Sequence, residues 1–338
     1  MSRSGEAVAL LPPATPMVAA PRDAVVHTLS GQSMGSTWRL RLAAAPLALD
    51  EVRERVEACL AMLVRQMSHW EPASDLSCFN RRPAGTWQAL APDFASVMRS
   101  ALLLAERSAG AFDPALGGAI ESWGFGATGR FDSPGFTGPG PAVDGGETRT
   151  WRALQLDGDR LLQSGGCRLD LSAIAKGHAV DAVAAVLRRQ GWHHFLFELG
   201  GELRGEGLKP DGQPWWVGLE RPPDAVDLPA LRVALIGQAV ATSGDYRQGF
   251  RDGGGRWCAH TLDPRTGRPV NHALASVSVL HGRCAWADAL ATTLFVMGPH
   301  EGPRWAAEHQ VAAWFVARDE AGGWREWPSP AMAAWRDG

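Results

Sequence analysis

Tyrosine occurs once in 338 residues, at Tyr246, against 15 tryptophans. Wherever this chain needs a large ring it uses an indole. Cysteine is sparse and unpaired. Cys59, Cys78, Cys167, Cys258 and Cys284 are odd in number, widely spaced and never in a C-x-x-C pair, which argues against a disulfide framework or a cysteine-built zinc site and leaves small buried hydrophobes. No apolar run approaches the ~20 residues of a membrane-spanning helix. No basic stripe dominates any segment and the formal charge is −3, so nucleic acid is not an expected partner. The glycine spacings of a Walker A loop and of a dinucleotide-binding fingerprint are both missing, which speaks against a nucleoside-triphosphate switch and an ordinary dehydrogenase. There is no internal repeat.

What is present has the length for one large or two closely packed bodies. The start, "MSRSGEAVALLPPATPMVAAP", is broken by prolines and precedes no cysteine that could take a lipid. Residues 1–25 read as a disordered tail, with a degenerate export signal as the minority reading, and residues 331–338 as a second tail. The chain reads as cytoplasmic by sequence. Between them, 26–330 form the folded part, with a Gly- and Pro-rich seam between two halves near 127–147.

Residues 50–67 place Val52, Val56, Cys59, Leu60, Leu63 and Met67 on one helical stripe. A second helix is expected after Pro92, capped by Asp93 and ended by Gly110. Beyond the seam the texture changes to short strands, including "RLLQSG", "CRLDLS", "HHFLFELGG", "LRVALIG", "QAVATSG", "ALASVSVL" and "VAAWFVARD". A helix from about Ala175 to a C′ glycine at Gly191 interrupts them, and so does one over 283–298 that ends at Gly298. Runs of strands broken by a few helices predict an α+β fold of mixed layers.

Two stretches carry chemistry. In "RCAWADALATTLFVMG" (283–298) Asp288 sits on an almost wholly apolar helix with no lysine or arginine one turn away. Burying an unpaired carboxylate costs several kcal/mol, roughly. Thr292 lies one turn on, so the two oxygens share a face. A neighbouring backbone amide is the commoner partner for such an aspartate; a hard divalent cation, which takes oxygen ligands, is the sharper alternative. In "LDLSAIAKGHAVD" (169–181) a strand turns through Ser172 and Ala173 into a helix bearing Lys176 and Gly177 in its first turn. Free amides, the dipole and the ammonium together suit a phosphate, although a single lysine near a helix start is more often solvated.

With "MGSTW" (34–38), "MSHWEPASDLSCFNR" (67–81), "FDPALGG" (112–118), "WGFG" (123–126), "ELGGELRGEG" (198–207), "ATSGDYR" (241–247) and "HTLDPRTGRPV" (260–270), these two stretches make nine ordered motifs. Together they resemble the ApbE family of FAD:protein FMN transferases, over roughly residues 30–298. The resemblance implies a T-fold-like α+β body of two closely packed halves. It implies a Mg²⁺-dependent enzyme that splits FAD and attaches FMN through a phosphodiester to a Thr or Ser hydroxyl of an acceptor flavoprotein, releasing AMP. An FAD pyrophosphatase and a non-catalytic flavin carrier are the alternatives.

Residue by residue, the resemblance implies Mg²⁺ ligands at Asp288, Thr292 and the carbonyl of Ala173. It implies a pyrophosphate-neutralising Lys176 and FAD contacts at Met34, Trp70, Phe112, Asp113, Asp170 and Thr261. For Trp70 a plain core aromatic is the competing reading, and for Asp113 a turn cap before Pro114. His260 has the pKa range of a general base and equally fits a structural histidine, so no base is assigned. Asp245 and Arg247 read as an ion pair around a tight Ser243-Gly244 turn, with phosphate contact as the sharper alternative. The sequence departs from the family at His69, Trp70 and Glu71, which replace a Thr-Tyr-Arg pattern. It departs again at Ala285, where some relatives carry a third acid, and in lacking the export signal and lipid-bearing cysteine of the periplasmic, membrane-anchored members.

Overall fold

The computed structural model describes residues 8–10, 18–46, 49–128, 130–133, 136, 138 and 150–336. Its helices are α1 (Leu49–Met67), α2 (Asp75–Asn80), α3 (Pro92–Arg107), α4 (Gly117–Ser122), α5 (Ala175–Arg189), α6 (Cys284–Glu308) and α7 (Pro330–Ala333). Helices and sheets are mixed along the chain, the α+β class expected. The chain divides into two units that are each discontinuous in sequence: 1–60, 176–244 and 273–338 form the first, 61–175 and 245–272 the second.

An eight-stranded antiparallel sheet organises the first unit. Its order is Trp324–Pro328, Ala312–Arg318, Leu274–His281, Gln238–Gly244, Glu202–Glu206, Phe195–Leu199, Ser36–Ala44 and Val25–Ser33. Period-two patterning sets its register: Trp38, Leu40 and Leu42 are buried while Arg39 and Arg41 are exposed, and they sit opposite Leu199, Phe197 and Phe195. The edge strand Val25–Ser33 and its neighbour Ser36–Ala44 are joined by a two-residue turn, Met34-Gly35, with φ of 51° and 69°, the left-handed pair that matches strand twist. Helix α6 packs on the strands Gln238–Gly244 and Leu274–His281. A separate core cluster of this unit, without any residue of α6, includes Trp215, Val233, Val240, Leu280, Trp314, Val316, Met332 and Trp335.

In the second unit α3 buries Phe94, Val97, Met98, Ala101 and Leu104. A three-stranded sheet runs in the order Thr86–Ala89, Arg160–Gln163, Gln155–Asp157, and two short hairpins pair 249–251 with 257–259 and 262–263 with 268–269. Leu116, Ala119, Trp123, Cys258 and Leu262 form a separate cluster in this unit.

Several expectations are corrected. Residues 167–172 are not a strand: Arg168 makes one isolated bridge to Leu116, and Ser172 N–H turns back onto Asp170 Oδ1 at 2.8 Å. Helix α3 is capped by Ala91 with Pro92 at its first position, so Asp93 lies in the first turn rather than at the cap. Helix α6 does break at Gly298 (φ 77°, ψ −173°), but helix resumes at once through Glu308. Ser243 and Gly244 close a strand rather than form a turn. The seam expected near 127–147 lies inside the second unit; 129, 134, 135, 137 and 139–147 fall outside the described residues. Of the expected N-terminal tail, 1–7 and 11–17 likewise fall outside them, whereas Val8–Leu10 pair parallel with Leu231–Val233. The expected C-terminal tail begins instead in α7, where Met332 is buried, and continues to Trp335, also buried. None of the five cysteines forms a disulfide. Among the described residues no helix is long and apolar enough to cross a membrane.

Candidate functional site

In the first unit the problem posed by Asp288 has a structural answer. Its carboxylate is buried, and Oδ2 accepts the backbone N–H of Gly177, in the first turn of α5, at 2.9 Å. A negative charge thus meets the positive end of a helix. The approach demands glycine: a Cβ at Gly177 would stand 2.4 Å from the carbonyl oxygen of Cys284 and 2.8 Å from Cβ of Asp288. One turn along α6, the Thr292 hydroxyl lies 2.9 Å from the hydroxyl of Ser243 at the end of its strand. Asp288, Thr292 and Ser243 therefore offer only hard oxygen.

The charge around them is mostly negative. Burial pushes the Cys284 thiol well above its usual range, and Asp181, Asp288 and Glu202 push it further, with Arg204 alone opposing. Lys176 belongs to this neighbourhood: its Nζ lies 2.9 Å from Oε1 of the buried Glu202. The helix end read from sequence as a phosphate seat has one amide committed to Asp288 and its lysine engaged with Glu202. Among the described residues no group of three or more His, Cys, Asp or Glu could hold a metal. The donors at hand, a carboxylate and hydroxyls, are of the kind a hard divalent cation takes. The oxygen donors fit such an ion. Met34, also in this unit, is held in the left-handed region at the tip of its hairpin, an uncommon conformation for a side chain of its size.

In the second unit three of the motifs converge. Asn80 brackets Leu169 from both sides, accepting its N–H at 2.7 Å and donating to its carbonyl at 3.0 Å. Asp170 N–H donates to the carbonyl of Pro114 at 2.9 Å, and Gly117 N–H to that of Arg168 at 3.0 Å. A Cβ at Gly117 would stand 2.8 Å from the carbonyl oxygens of Arg168 and Leu169. These bonds lay the 112–118 loop, with Phe112 and Asp113 at its start, against the segment 168–170 that carries Asp170; Ala173, three residues on, is half-buried. Asp170 also faces His69, whose Nδ1 is 3.5 Å from Oδ2.

Trp70 is 49% exposed, which excludes the core reading, and its ring is flanked by His69 at 5.2 Å and by the Arg130 guanidinium at 5.4 Å. Asp113 is a turn cap, accepting from Ala115 N–H at 2.7 Å, and it reaches further, to Trp151 N–H at 3.1 Å. Burial pushes its pKa up to about 6, against the lowering effect of those two amides. Thr261 is buried and its carbonyl accepts Val270 N–H at 3.0 Å. Trp123 of the "WGFG" motif donates to the carbonyl of Gly267 at 2.8 Å, tying that motif to the 260–270 turn.

Met34, Lys176, Asp288 and Thr292 thus belong to the first unit, and Trp70, Phe112, Asp113, Asp170, Ala173 and Thr261 to the second. Sequence reading took Ser243 only as a turn residue and did not single out Glu202, Asp181 or Asn80. Each stands inside a quoted motif, so the motif was the available signal, but none differs in type from an ordinary turn or surface residue until its long-range partner is known.

A model of the ApbE family matches residues 34–315. The FAD:protein FMN transferase of Vibrio cholerae is 34% identical over 308 residues, covering 88% of this chain and 89% of that protein. That of Haemophilus influenzae is 32% identical over 319 residues, covering 90% of each. The crystal structure of the Pseudomonas stutzeri flavinyl transferase ApbE in its apo form matches with a TM-score of 0.82 at 34% identity, over 93% of this chain and 98% of that one. The Vibrio cholerae flavin transferase ApbE matches at 0.80 and 31%, over 92% and 99%. The motifs that the backbone bonds tie together are spread through the matched span, and by sequence and fold alike this chain belongs to the ApbE family.

Proposed function

We propose that this protein is a Mg²⁺-dependent FAD:protein FMN transferase. It splits the pyrophosphate of FAD and joins FMN to a Thr or Ser hydroxyl of an acceptor flavoprotein. The acceptor oxygen forms a new bond to the flavin-side phosphorus, the bond from that phosphorus to the bridging oxygen breaks, and AMP leaves while the hydroxyl proton passes to solvent or product. The observation that carries this reading is the buried Asp288 carboxylate, held by the Gly177 amide on the α6 face that also bears Thr292.

Asp288 and Thr292 would hold Mg²⁺, which when bound supplies positive charge against the oxygens of the breaking pyrophosphate. The residues do the rest. Lys176 adds a mobile charge that can exchange Glu202 for a phosphate oxygen. Trp70 offers an indole face to the flavin ring. Phe112, Asp113, Asp170 and Thr261 of the second unit, and separately Met34 of the first, are the further FAD contacts of this reading.

Purified protein mixed with FAD, Mg²⁺ and a candidate acceptor domain tests this. Flavin fluorescence that survives denaturing electrophoresis on the acceptor supports transfer; free FMN with AMP identifies a pyrophosphatase, and unchanged FAD a carrier. In Asp288→Ala, covalent transfer is expected to fall at least about 100-fold, while FAD binding, followed by quenching of flavin fluorescence, persists. Equal transfer by the variant would remove Asp288 from the reaction.

A further inference from the structure

We infer that Asp181 is a positioning residue: it fixes the start of α6 against α5 and thereby aims the Asp288 carboxylate. The inference rests on the reading of Asp288 as a cation ligand. Its basis is an exchange of caps between two helices distant in sequence. The Gly177 N–H of α5 donates to Asp288 of α6 at 2.9 Å. In return the N–H groups of Cys284 and Ala285, which open α6, donate to Asp181 Oδ1 and Oδ2 of α5 at 2.9 and 3.0 Å. Helix α6 has no side-chain cap of its own, its N-cap position being Arg283. Without Asp181 its leading amides would be buried donors with nothing to donate to.

Asp181 is itself held. The Arg204 guanidinium, with only 8% of its side chain exposed, donates to Asp181 Oδ1 at 3.0 Å and to the carbonyl of Gly282 at 2.7 Å. It also pairs with Glu206 at 2.7 Å. One cation thus binds the strand Glu202–Glu206, the aspartate of α5 and the turn that leads into α6. The clearance is small, since a Cβ at Gly177 would stand 2.4 Å from the Cys284 carbonyl oxygen. Asp288 lies one turn after Cys284 and shares its face. A shift of the first turn of α6 therefore moves Asp288 off the Gly177 amide and changes where its carboxylate points. Partners that orient a ligand in this indirect way are worth roughly 10–100-fold in metal affinity.

The test uses the full chain, Mn²⁺ as a paramagnetic probe that accepts the same hard-oxygen ligands, and the variants Asp181→Asn and Arg204→Lys. Asp181→Asn keeps the shape but leaves one carbonyl oxygen for two amides. Free Mn²⁺ is read by electron paramagnetic resonance during titration, with and without FAD, and covalent FMN transfer is measured against Mg²⁺ concentration.

In Asp181→Asn the Mn²⁺ affinity is expected to weaken about 10–100-fold and the half-saturating Mg²⁺ to rise by a similar factor, so that added Mg²⁺ recovers most of the lost transfer. The KM for FAD stays within about twofold. Arg204→Lys shifts the same quantities in the same direction. A purely structural cap would lower the thermal midpoint and leave Mn²⁺ affinity unchanged in the folded protein, which overturns the proposal. Should Asp181→Asn fail to fold, unchanged Mn²⁺ affinity in Arg204→Lys overturns it equally. Asp288→Ala separates the two levels. If it binds Mn²⁺ as the wild type does, the cation reading fails and the positioning role falls with it. If it loses Mn²⁺ while Asp181→Asn retains full affinity, the positioning role alone fails.

Discussion

Asp113 and Trp70 show how far a single residue's environment can be turned into an expected measurement. The Asp113 carboxyl has a folded-state pKa of about 6 because burial outweighs its two amide donors, whereas in the unfolded chain it titrates in the ordinary carboxylate range. The folded state therefore holds the proton more tightly. Its stabilising effect is complete below about pH 4 and is lost as pH rises through 6, a difference on the order of 3 kcal/mol. Thermal unfolding of Asp113→Asn should show a flatter dependence on pH between 4 and 6 than the wild type, and identical slopes would show that burial does not govern this group.

Trp70 is the opposite case, a large ring left 49% exposed. Trp70→Ala should change the unfolding midpoint little, within about 0.5 kcal/mol. It should weaken FAD binding by roughly 1–2 kcal/mol, about tenfold, through lost stacking. Trp70→Phe should retain most of the affinity, and equal binding by all three proteins would place the flavin elsewhere. The type of residue was readable at both positions. Exposure was not, because 15 tryptophans in the chain make one indole look like any other until its neighbours are known.

At the scale of elements, local chemistry was legible where the signal is local. The end of α5 is one such place: Gly191 has φ 82°, and the N–H groups of Trp192 and Gly191 close onto the carbonyls of Leu187 and Arg188 at 3.1 and 3.0 Å, the paired bonds of a glycine-terminated helix. The halt of α6 at Gly298 is another. What followed was hidden because "PHEGPRWAAE" holds two prolines, which ordinarily break a helix. In a first turn, however, a missing N–H costs nothing, and Pro299 stands where a new helix begins.

The junction itself uses a backbone conformation (φ 77°, ψ −173°) that belongs almost wholly to glycine. Gly298→Ala is therefore expected to lower stability by about 1–3 kcal/mol, read as a fall in the urea midpoint at unchanged slope. A midpoint equal to wild type would mean that the junction tolerates a Cβ. The strand expected at 167–172 failed for a related reason. Its apolar alternation is real, but its backbone is bonded by the Asn80 side chain and the 112–118 loop, partners that periodicity does not reveal.

At the scale of the whole molecule, the sequence pointed to two bodies and misplaced the division. A Gly- and Pro-rich run is a sound sign of a loop, yet unit membership follows strand pairing across long stretches of chain, and the strand Ser36–Ala44 pairs with Phe195–Leu199. The same long-range logic governs the C-terminus, where eight residues of mixed character read as a tail. Met332 and Trp335 lie in the core beside Trp314 and Val316. The buried Ser329 hydroxyl donates to the Val311 carbonyl at 2.6 Å and accepts the N–H of Ala313 at 3.0 Å and of Met332 at 3.2 Å.

Removing 329–338 would strip two large side chains from that core and leave polar groups of the strand Ala312–Arg318 and its approach without their partner. Each large apolar side chain lost from a core costs about 2–5 kcal/mol, and each orphaned polar group about 1–3, so the truncated chain should lose several kcal/mol and unfold at a markedly lower denaturant concentration. Ser329→Ala, which removes only the hydroxyl, should cost about 1–3 kcal/mol. A truncated protein with the midpoint of the full chain would return these residues to the status of a tail. A truncated protein that unfolds early while Ser329→Ala does not would assign the anchoring to Met332 and Trp335 rather than to the serine.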